Sequence, residues 1–227
     1  MGAINKLRRS WAIAIVMVVA VIFITQPAFG RDTSPLSSIE QSAVVAATGL
    51  RAGVNFDLSA SMFDSVERQA LLLVERRPAP KGDSRRLANV FVYHYDDDIL
   101  SHLVVDTADN TLVHSLTMSK VQLPLIDDER QLAVNILFSH PASRALLEDE
   151  FKRVTGRSLG ELTQINYKAS TFVAEGEGDT RTRNCGVRRC ARILMYTADN
   201  VVLDLAPVVD LSQESVLKVV ASGRETR

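Results

Sequence analysis

The hydrophobic positions divide the chain into one long apolar block at the start and short, alternating stretches after it. Trp11–Ile24 holds fourteen residues in a row without a charge, and small residues, Ala28 and Gly30, precede Arg31. The block follows three bases, Lys6, Arg8 and Arg9. A basic start, an apolar core shorter than the roughly 20 residues of a spanning helix, and small residues before a cleavage point are typical of a secretory signal peptide. We predict a signal peptide at residues 1–30, with an uncleaved inner-membrane anchor as the alternative.

Two stretches of the remaining chain share one order of alternating strands and polar turns. Arg85–Leu116 and Arg188–Val220 each contain a strand, a turn, a strand, an Asp-led turn and a strand. β-Branched and aromatic residues fill the predicted strands, and Asp and Asn side chains close the turns. The aligned pairs include Tyr93 with Tyr196 and Asp106 with Asp210. The pattern predicts an internal repeat.

A helix and a further strand are predicted ahead of each repeated stretch. Leu36–Val54 has a helical spacing of apolar residues, and Ser37 with Glu40 forms a capping box of the kind that starts helices. The other predicted elements are a strand at Val66–Arg76, helices at Asp127–Phe138 and Ala142–Val154, and a strand at Thr163–Ala174. A sheet with one apolar face needs a covering helix. We predict an α+β chain of two tandem units, residues 31–122 and 123–227, each a helix packed on a four-stranded antiparallel meander.

Composition and charge narrow the classes of function. The 227 residues are 46% hydrophobic and 23% charged, which is ordinary for a globular protein, and the net charge is −1. Residues 1–30 hold three of the basic residues and none of the acidic ones, so the rest of the chain carries a net charge of −4. A mildly acidic chain is a poor non-specific binder of nucleic acid. We expect an exported protein, periplasmic or secreted, whose only membrane contact would be through residues 1–30 if they are not cleaved.

The repeated stretches resemble the small domains that precede the catalytic domain in copper amine oxidases. The resemblance is carried by RRLANVFVYHYDDDILSHLVVDTADNTLVHSL, VQLPLIDDERQLAV, HPASRALL and LDLAPVVDLSQESVLKVV, and it spans about residues 36–220. It implies two cystatin-like units that correspond to the second and third domains of that family, without the catalytic domain. It also implies that the chain has no catalytic role.

One short segment matches most of the motif from which copper amine oxidases make their quinone cofactor. The motif is T-x-x-N-Y-[DE], and Thr163–Lys168 reads TQINYK, with Lys168 in place of the acid. In the family, copper is held by three histidines, two of them spaced H-x-H after the tyrosine, whereas no histidine follows Tyr167 here. Copper needs several nitrogen ligands around one point. We interpret the match as chance and predict no catalytic residue and no cofactor.

Two histidines are the remaining candidates for metal ligands. His94 and His102 flank the Asp96–Asp98 turn, and a three-residue loop would place both rings on one face of the sheet. With the aspartates they would form a weak site for a divalent metal. The simpler interpretation, which we favour, is a pair of polar residues on a solvated sheet face.

The two cysteines, Cys185 and Cys190, lie in CGVRRC with four residues between them. In an oxidising compartment such a pair is expected to form a disulfide. Redox-active pairs normally have two intervening residues at a helix start, and a zinc site lacks histidines after residue 140. We predict a disulfide that stabilises a local turn.

Five arginines cluster around the start of the second repeated stretch, and this is the one charged feature of the sequence that suggests a particular kind of partner. Its members are Arg181, Arg183, Arg188, Arg189 and Arg192. They are a candidate surface for an anionic partner or a lipid headgroup. The alternative is a solvated loop and strand edge, where charge deters unwanted strand pairing.

Together these features indicate an exported, non-catalytic module that binds an unidentified protein partner in the cell envelope. An accessory subunit of a separately encoded amine oxidase or quinoprotein is the second hypothesis. A copper- and quinone-dependent enzyme is the third.

Overall fold

The computed structural model describes residues 34–49, 68–78, 82–174 and 179–219. The predicted signal peptide lies outside these residues, as do the end of the predicted helix Leu36–Val54, the first residues of the predicted strand Val66–Arg76 and residues 175–178. No helix within the described residues is long and apolar enough to cross a membrane.

Two four-stranded antiparallel sheets and three helices make up the described part of the chain. The first half contains α1 (Ser38–Ala47), β1 (Gln69–Arg77), β2 (Leu87–His94), β3 (Ile99–Asp106) and β4 (Thr111–Ser119). The second half contains α2 (Asp127–Ser139), α3 (Pro141–Thr155), β5 (Ile165–Phe172), β6 (Cys190–Thr197), β7 (Val208–Asp210) and β8 (Ser215–Lys218). Each sheet has its strands in chain order, so both are meanders. The predicted α+β class and both meanders are confirmed, and both helices predicted before the second meander are present as α2 and α3.

Local sequence signals set the helix ends. The predicted capping box is present, because Ser37 Oγ accepts a hydrogen bond from the N–H of Glu40 and the Glu40 carboxylate accepts one from the N–H of Ser37. His140 ends α2, and its ring accepts a hydrogen bond from the N–H of Ser143 at the start of α3. Gly156 ends α3 at a φ of +70°, a conformation that glycine adopts without steric cost.

The two sheets share details of strand register. Leu87 stands opposite Asp106 in the first sheet, and Cys190 stands opposite Asp210 in the second. An irregularity in register follows at matching places, Val104/Val105 and Val208/Val209. These details are compatible with two tandem units, while the internal repeat itself stays a prediction.

One hydrophobic core joins the two sheets. Tyr93 and Leu100 of the first sheet, and Tyr95 of the turn between β2 and β3, lie in the same buried cluster as residues of α2, α3 and β6. A smaller cluster lies between α1 and the opposite face of the first sheet. The described residues from Pro35 onward accordingly belong to one compact unit. The division into residues 31–122 and 123–227 stays a prediction.

An ion pair that fastens α1 to the first sheet predicts a pH dependence of stability. Arg86 Nε lies 2.6 Å from Glu40 Oε1, and this hydrogen bond is the main reason that the pKa of Glu40 falls from 4.5 to about 2. Because the folded-state pKa is lowered, the stabilisation is present above pH 4.5 and is lost as the pH falls toward 2. We expect Glu40→Gln to lower the free energy of unfolding at pH 7 and to differ much less from the unmodified protein near pH 2.

Urea unfolding at both pH values measures this difference, with Glu148→Gln, at an exposed position of α3, as the control. An equal gap between Glu40→Gln and the unmodified protein at the two pH values would contradict the assignment.

Candidate functional site

The five arginines predicted to form one surface patch have different environments in the structure. Arg181 pairs with Asp179 at 2.8 Å, and Arg188 lies 3.4 Å from the buried carboxylate of Asp210. Arg183 and Arg192 are exposed. Arg189 is fully buried, so the prediction is wrong for this residue. Its side chain forms the centre of the polar network that links the two halves of the chain.

Arg189 and Glu129 form a buried, two-point ion pair. Arg189 Nε lies 2.5 Å from Glu129 Oε1, and Nη2 lies 2.8 Å from Oε2. Both side chains are 0% exposed. Glu129 also accepts hydrogen bonds from the Tyr95 hydroxyl at 2.7 Å and from the N–H of Ile126 at 3.0 Å. The carboxylate therefore caps the start of α2 and contacts the turn between β2 and β3 at the same time.

The remaining N–H groups of Arg189 hold the connector between the two halves. Nη1 donates to the carbonyl of Leu123 and to the side chain of Gln122, and Nη2 donates to the carbonyl of Pro124. All five N–H groups of the guanidinium thus have acceptors. Its carbon lies 5.3 Å from the centre of the Tyr93 ring, within the range of a cation–π contact.

A second, similar ion pair occupies the corresponding place in the first half. In the repeat alignment Arg86 corresponds to Arg189. Arg86 donates to Glu40, the third residue of α1. In the same way Arg189 donates to Glu129, the third residue of α2. Arg86 Nη2 donates to the carbonyl of Pro35, five residues before its glutamate, and Arg189 Nη2 donates to Pro124, also five residues before its glutamate. The two segments read PLSSIE and PLIDDE.

Hydroxyl groups extend the network to the turn after β2. Asp98 accepts hydrogen bonds from the Tyr93 hydroxyl at 3.0 Å and from Ser212 Oγ at 2.5 Å. The Ser212 oxygen in turn accepts the N–H of Arg189. Arg68 reaches across from the start of β1 to the carbonyl of Ser212 and the carboxylate of Glu214. Arg68, Tyr95 and Asp98 of the first half are therefore hydrogen-bonded to residues of the second half.

Burial and the charges of neighbouring groups together set the charge states in the network. It raises the pKa of Tyr95 far above its ordinary value, with a further contribution from the charge of Glu129, so the phenol stays protonated and donates. Burial by itself would lower the pKa of Arg189, but the hydrogen bond and charge of Glu129 outweigh it and the pKa is raised. Burial also raises the pKa of Asp210 and of Glu214. The arginine is therefore charged, and its hydrogen bonds hold the structure together rather than exposing a reactive group.

The predicted disulfide is confirmed. The Cys185 and Cys190 sulfurs are bonded, and their Cα atoms lie 5.4 Å apart. The bond is buried against Val208, with Phe172 and Leu217 beside it. Gly186 has a φ of +107°, and a Cβ there would stand 2.8 Å from a methyl group of Val173, so the loop needs glycine at this position.

The two histidines considered as metal ligands are on opposite faces of the first sheet. His94 stands opposite Ile99, and Phe91 stands opposite His102, because the loop between β2 and β3 has four residues and not three. His94 contacts Ser101, whereas His102 stacks on Phe91 and contacts Asn89. The shared-face arrangement was therefore wrong.

The residues present do not fit a copper and quinone centre. Tyr167 lies in β5, and its hydroxyl donates a hydrogen bond to Gln131 of α2 at 2.5 Å. His140 caps α3. His114 lies on β4 as a diagonal neighbour of His102, whereas His94 lies on the opposite face of the sheet, so the three rings do not surround one point. Within the described residues no group of three or more His, Cys, Asp or Glu side chains is arranged to hold a metal ion.

Comparison with known proteins places the fold. No protein-family model matches the chain, and no curated protein matches it. Among solved structures, the chain is similar to a copper-containing benzylamine oxidase from Hansenula polymorpha, with a TM-score of 0.51 and 14% identity over 83% of this chain. The chain has a copper amine oxidase-like domain fold. It spans 29% of the length of that oxidase, and at this identity the likeness concerns the fold alone.

Sequence reasoning missed the buried Arg189–Glu129 pair, although one signal was present. Residues 191, 193 and 195 are Ala, Ile and Met, and all three are buried on the face of β6 that meets α2. Side chains alternate along a strand, so residue 189 belongs to the same face. This alternation distinguishes Arg189, which lies on the face toward the core, from Arg188 and Arg192, which lie on the other face.

Proposed function

We propose that this chain is an exported, non-catalytic binding module of the cell envelope, built from two units like the second and third domains of copper amine oxidases. The observation that carries the proposal is the fold likeness to part of an oxidase, in a chain whose histidines and Tyr167 do not fit that enzyme's cofactor. The matched pairs Arg86–Glu40 and Arg189–Glu129 support the view that the two units are copies of one module.

In this proposal the buried network around Arg189 and Glu129 stabilises the fold and is not the binding site. Each N–H group of Arg189 and each oxygen of Glu129 has a partner inside the chain, so a ligand would have to break existing bonds to enter. Binding would then use the outer surfaces of the sheets.

One such surface is the outer face of the second sheet. Lys168 stands opposite Leu194, and Ser170 stands opposite Arg192, which puts both cations on one face in neighbouring rows. Both side chains are exposed, and neither has a carboxylate partner among the described residues. With Leu194, 45% exposed, they offer charge and apolar surface to an acidic protein partner. Of the five arginines of the predicted basic patch, Arg192 lies on this surface.

A first experiment tests the non-catalytic part of the proposal. We expect the purified protein to bind no stoichiometric copper and to give no redox-cycling quinone stain, because the copper ligands and the acidic residue after Tyr167 are missing. Elemental analysis after copper loading, together with the stain, measures both. A positive stain that disappears in Tyr167→Phe would overturn the proposal in favour of an enzyme.

A second experiment separates the two binding hypotheses. The tagged protein is used to capture partners from envelope extract, in parallel with Arg192→Glu and with Arg144→Glu, a change on the exposed surface of α3, as the matched control. We expect a partner that Arg192→Glu fails to retain and that Arg144→Glu retains. An amine oxidase or quinoprotein as that partner would establish the accessory subunit, which is the second candidate because the fold is similar to part of such an enzyme. Equal capture by both variants would contradict the proposed surface.

A further inference from the structure

The two halves of the chain meet through opposite ends of the repeated unit. The first half contributes the end of its sheet where β2 turns into β3, with Tyr95 and Asp98. The second half contributes the end where α2 starts and β7 turns into β8, with Glu129 and Ser212. The Tyr95 hydroxyl donates to Glu129, and Ser212 Oγ donates to Asp98. We call the first kind of end the turn end, the second kind the helix-start end, and this contact the internal joint.

The first half has a helix-start end of its own, at the start of α1 and the turn between β3 and β4. The N–H of Thr107 donates to the carbonyl of Arg86 there, as the N–H of Leu211 donates to the carbonyl of Arg189 in the internal joint. The ion pairs at the two ends differ in burial. Arg86 is 19% and Glu40 30% exposed, whereas both members of the pair at the internal joint are 0% exposed. The helix-start end of the first half therefore matches the one in the internal joint but is less buried.

The second half likewise has a turn end, which corresponds to the covered turn end of the first half. In the first sheet Tyr93 stands opposite Leu100, and both are fully buried in the core that the two halves share. In the second sheet Tyr196, the counterpart of Tyr93, stands opposite Val202. Val202 is 53% exposed, and its neighbour Val201 is 49% exposed. The same row of the repeat is therefore covered by the neighbouring unit in the first half and partly open to solvent in the second.

We propose that the turn end of the second half receives the helix-start end of a second copy of this chain, so that copies join head to tail through a repetition of the internal joint. The inference rests on the proposal that the two halves are copies of one module. Units of a repeat protein contact only their neighbours, through one recurring interface, so the two outer ends of such an array are complementary to each other. The occupant follows from this, because the chain itself carries the matching side of the joint.

The joint between copies is expected to be weaker than the internal joint. Ala198 is the counterpart of Tyr95, so the hydroxyl that donates to Glu129 is missing from the turn end of the second half. Association of separate molecules also costs translational and rotational freedom, which a joint within one chain does not. The contact is heterologous, since each copy uses two different surfaces, and such contacts build rings or open arrays. We therefore expect a reversible association whose average size rises with protein concentration.

Sedimentation velocity over a concentration series tests the proposal on the whole chain. We expect the weight-average sedimentation coefficient to rise with concentration. Val202→Glu alters the turn end, and Ala108→Glu alters the helix-start end at the counterpart of Ser212. Each should raise the dissociation constant at least tenfold. Both altered residues are exposed, so both variants should fold, which circular dichroism checks. Leu146→Glu makes the same kind of change at an exposed position of α3 and should leave the association unchanged.

A mixture of the two weakened variants gives a readout that does not depend on a loss of binding. Val202→Glu keeps a native helix-start end, and Ala108→Glu keeps a native turn end. The mixture should therefore form a one-to-one dimer that does not grow further, although neither variant associates alone.

A chain that is monomeric at all concentrations, including one that captures a different protein at its turn end, would overturn the inference. An association that either variant leaves at full strength would do the same. A monomeric chain would leave the binding-module proposal standing, because copper loading and the capture experiment with Arg192→Glu test that proposal separately.

Discussion

Replacing Arg189 by methionine should lower the free energy of unfolding by about 3–5 kcal/mol, the usual cost of removing one partner from a buried ion pair. Methionine has similar length and no donor, so the carboxylate of Glu129 would stay buried without its counter-charge. The carbonyls of Leu123 and Pro124 would lose their donor at the same time. Urea unfolding monitored by circular dichroism measures the loss.

The chain supplies two matched controls for this variant. Arg192→Met removes an exposed arginine from the same strand and should change stability by no more than about 0.5 kcal/mol. Arg86→Met breaks the corresponding pair in the first half, where Arg86 is 19% and Glu40 30% exposed, and should have a smaller effect because water can reach the remaining charge. An Arg189→Met protein as stable as Arg192→Met would contradict the role assigned to the buried pair.

A double variant separates the charge from the rest of the network. Glu129→Leu with Arg189→Met removes both charges, so its cost should be less than the sum of the two single changes. The double variant would still leave the Tyr95 hydroxyl and the connector carbonyls without partners, and we therefore expect a remaining loss. Hydrogen exchange at Leu123 and Leu125 should rise in Arg189→Met and in the double variant, because both lose the bonds from Arg189 to the carbonyls of Leu123 and Pro124.

Elements with a local signal were predicted from the sequence to within a few residues. The strand predicted at Thr163–Ala174 is β5 at Ile165–Phe172, and the helix predicted at Asp127–Phe138 is α2 at Asp127–Ser139. The signals for these elements are the alternation of apolar residues and the acidic or serine residues that cap helices. Both extend over only a few neighbouring residues, so they can be recognised in a single sequence. The capping box of Ser37 and Glu40 is of this kind.

Errors arose where a one-residue difference or a distant partner decides the structure. One extra residue in the turn after β2, where Asp98 has a φ of +54°, moved His94 and His102 to opposite faces. Arg189 looks like Arg188 and Arg192 in the sequence, and its partner Glu129 is 60 residues away. Side-chain alternation in β6 would have shown that Arg189 faces the core, but only the fold brings Glu129 to it.

The disulfide variant Cys185→Ala with Cys190→Ala should lose about 2 kcal/mol of stability and keep its fold. In the chain-entropy model, a closed loop as short as this one restricts the unfolded chain only modestly, which gives a value of about 2 kcal/mol. The native bond lies buried between Val208 and Phe172, so alanine also removes sulfur atoms from a packed cluster. Urea unfolding without reductant measures the change.

Loss of the disulfide should loosen the two segments that are hydrogen-bonded to the Cys185–Cys190 loop. The carbonyl of Cys185 accepts the N–H of Ala174, and the carbonyl of Gly186 accepts the side-chain amide of Gln122, so the loop ties the end of β5 to the connector. Without the bond, hydrogen exchange at Ala174 should increase while exchange in β2 and β3 stays unchanged. Mass spectrometry of the protein under non-reducing conditions should find no alkylatable thiol. Two free thiols would rule out the bond, and loss of all cooperative unfolding in the variant would show that the fold depends on it.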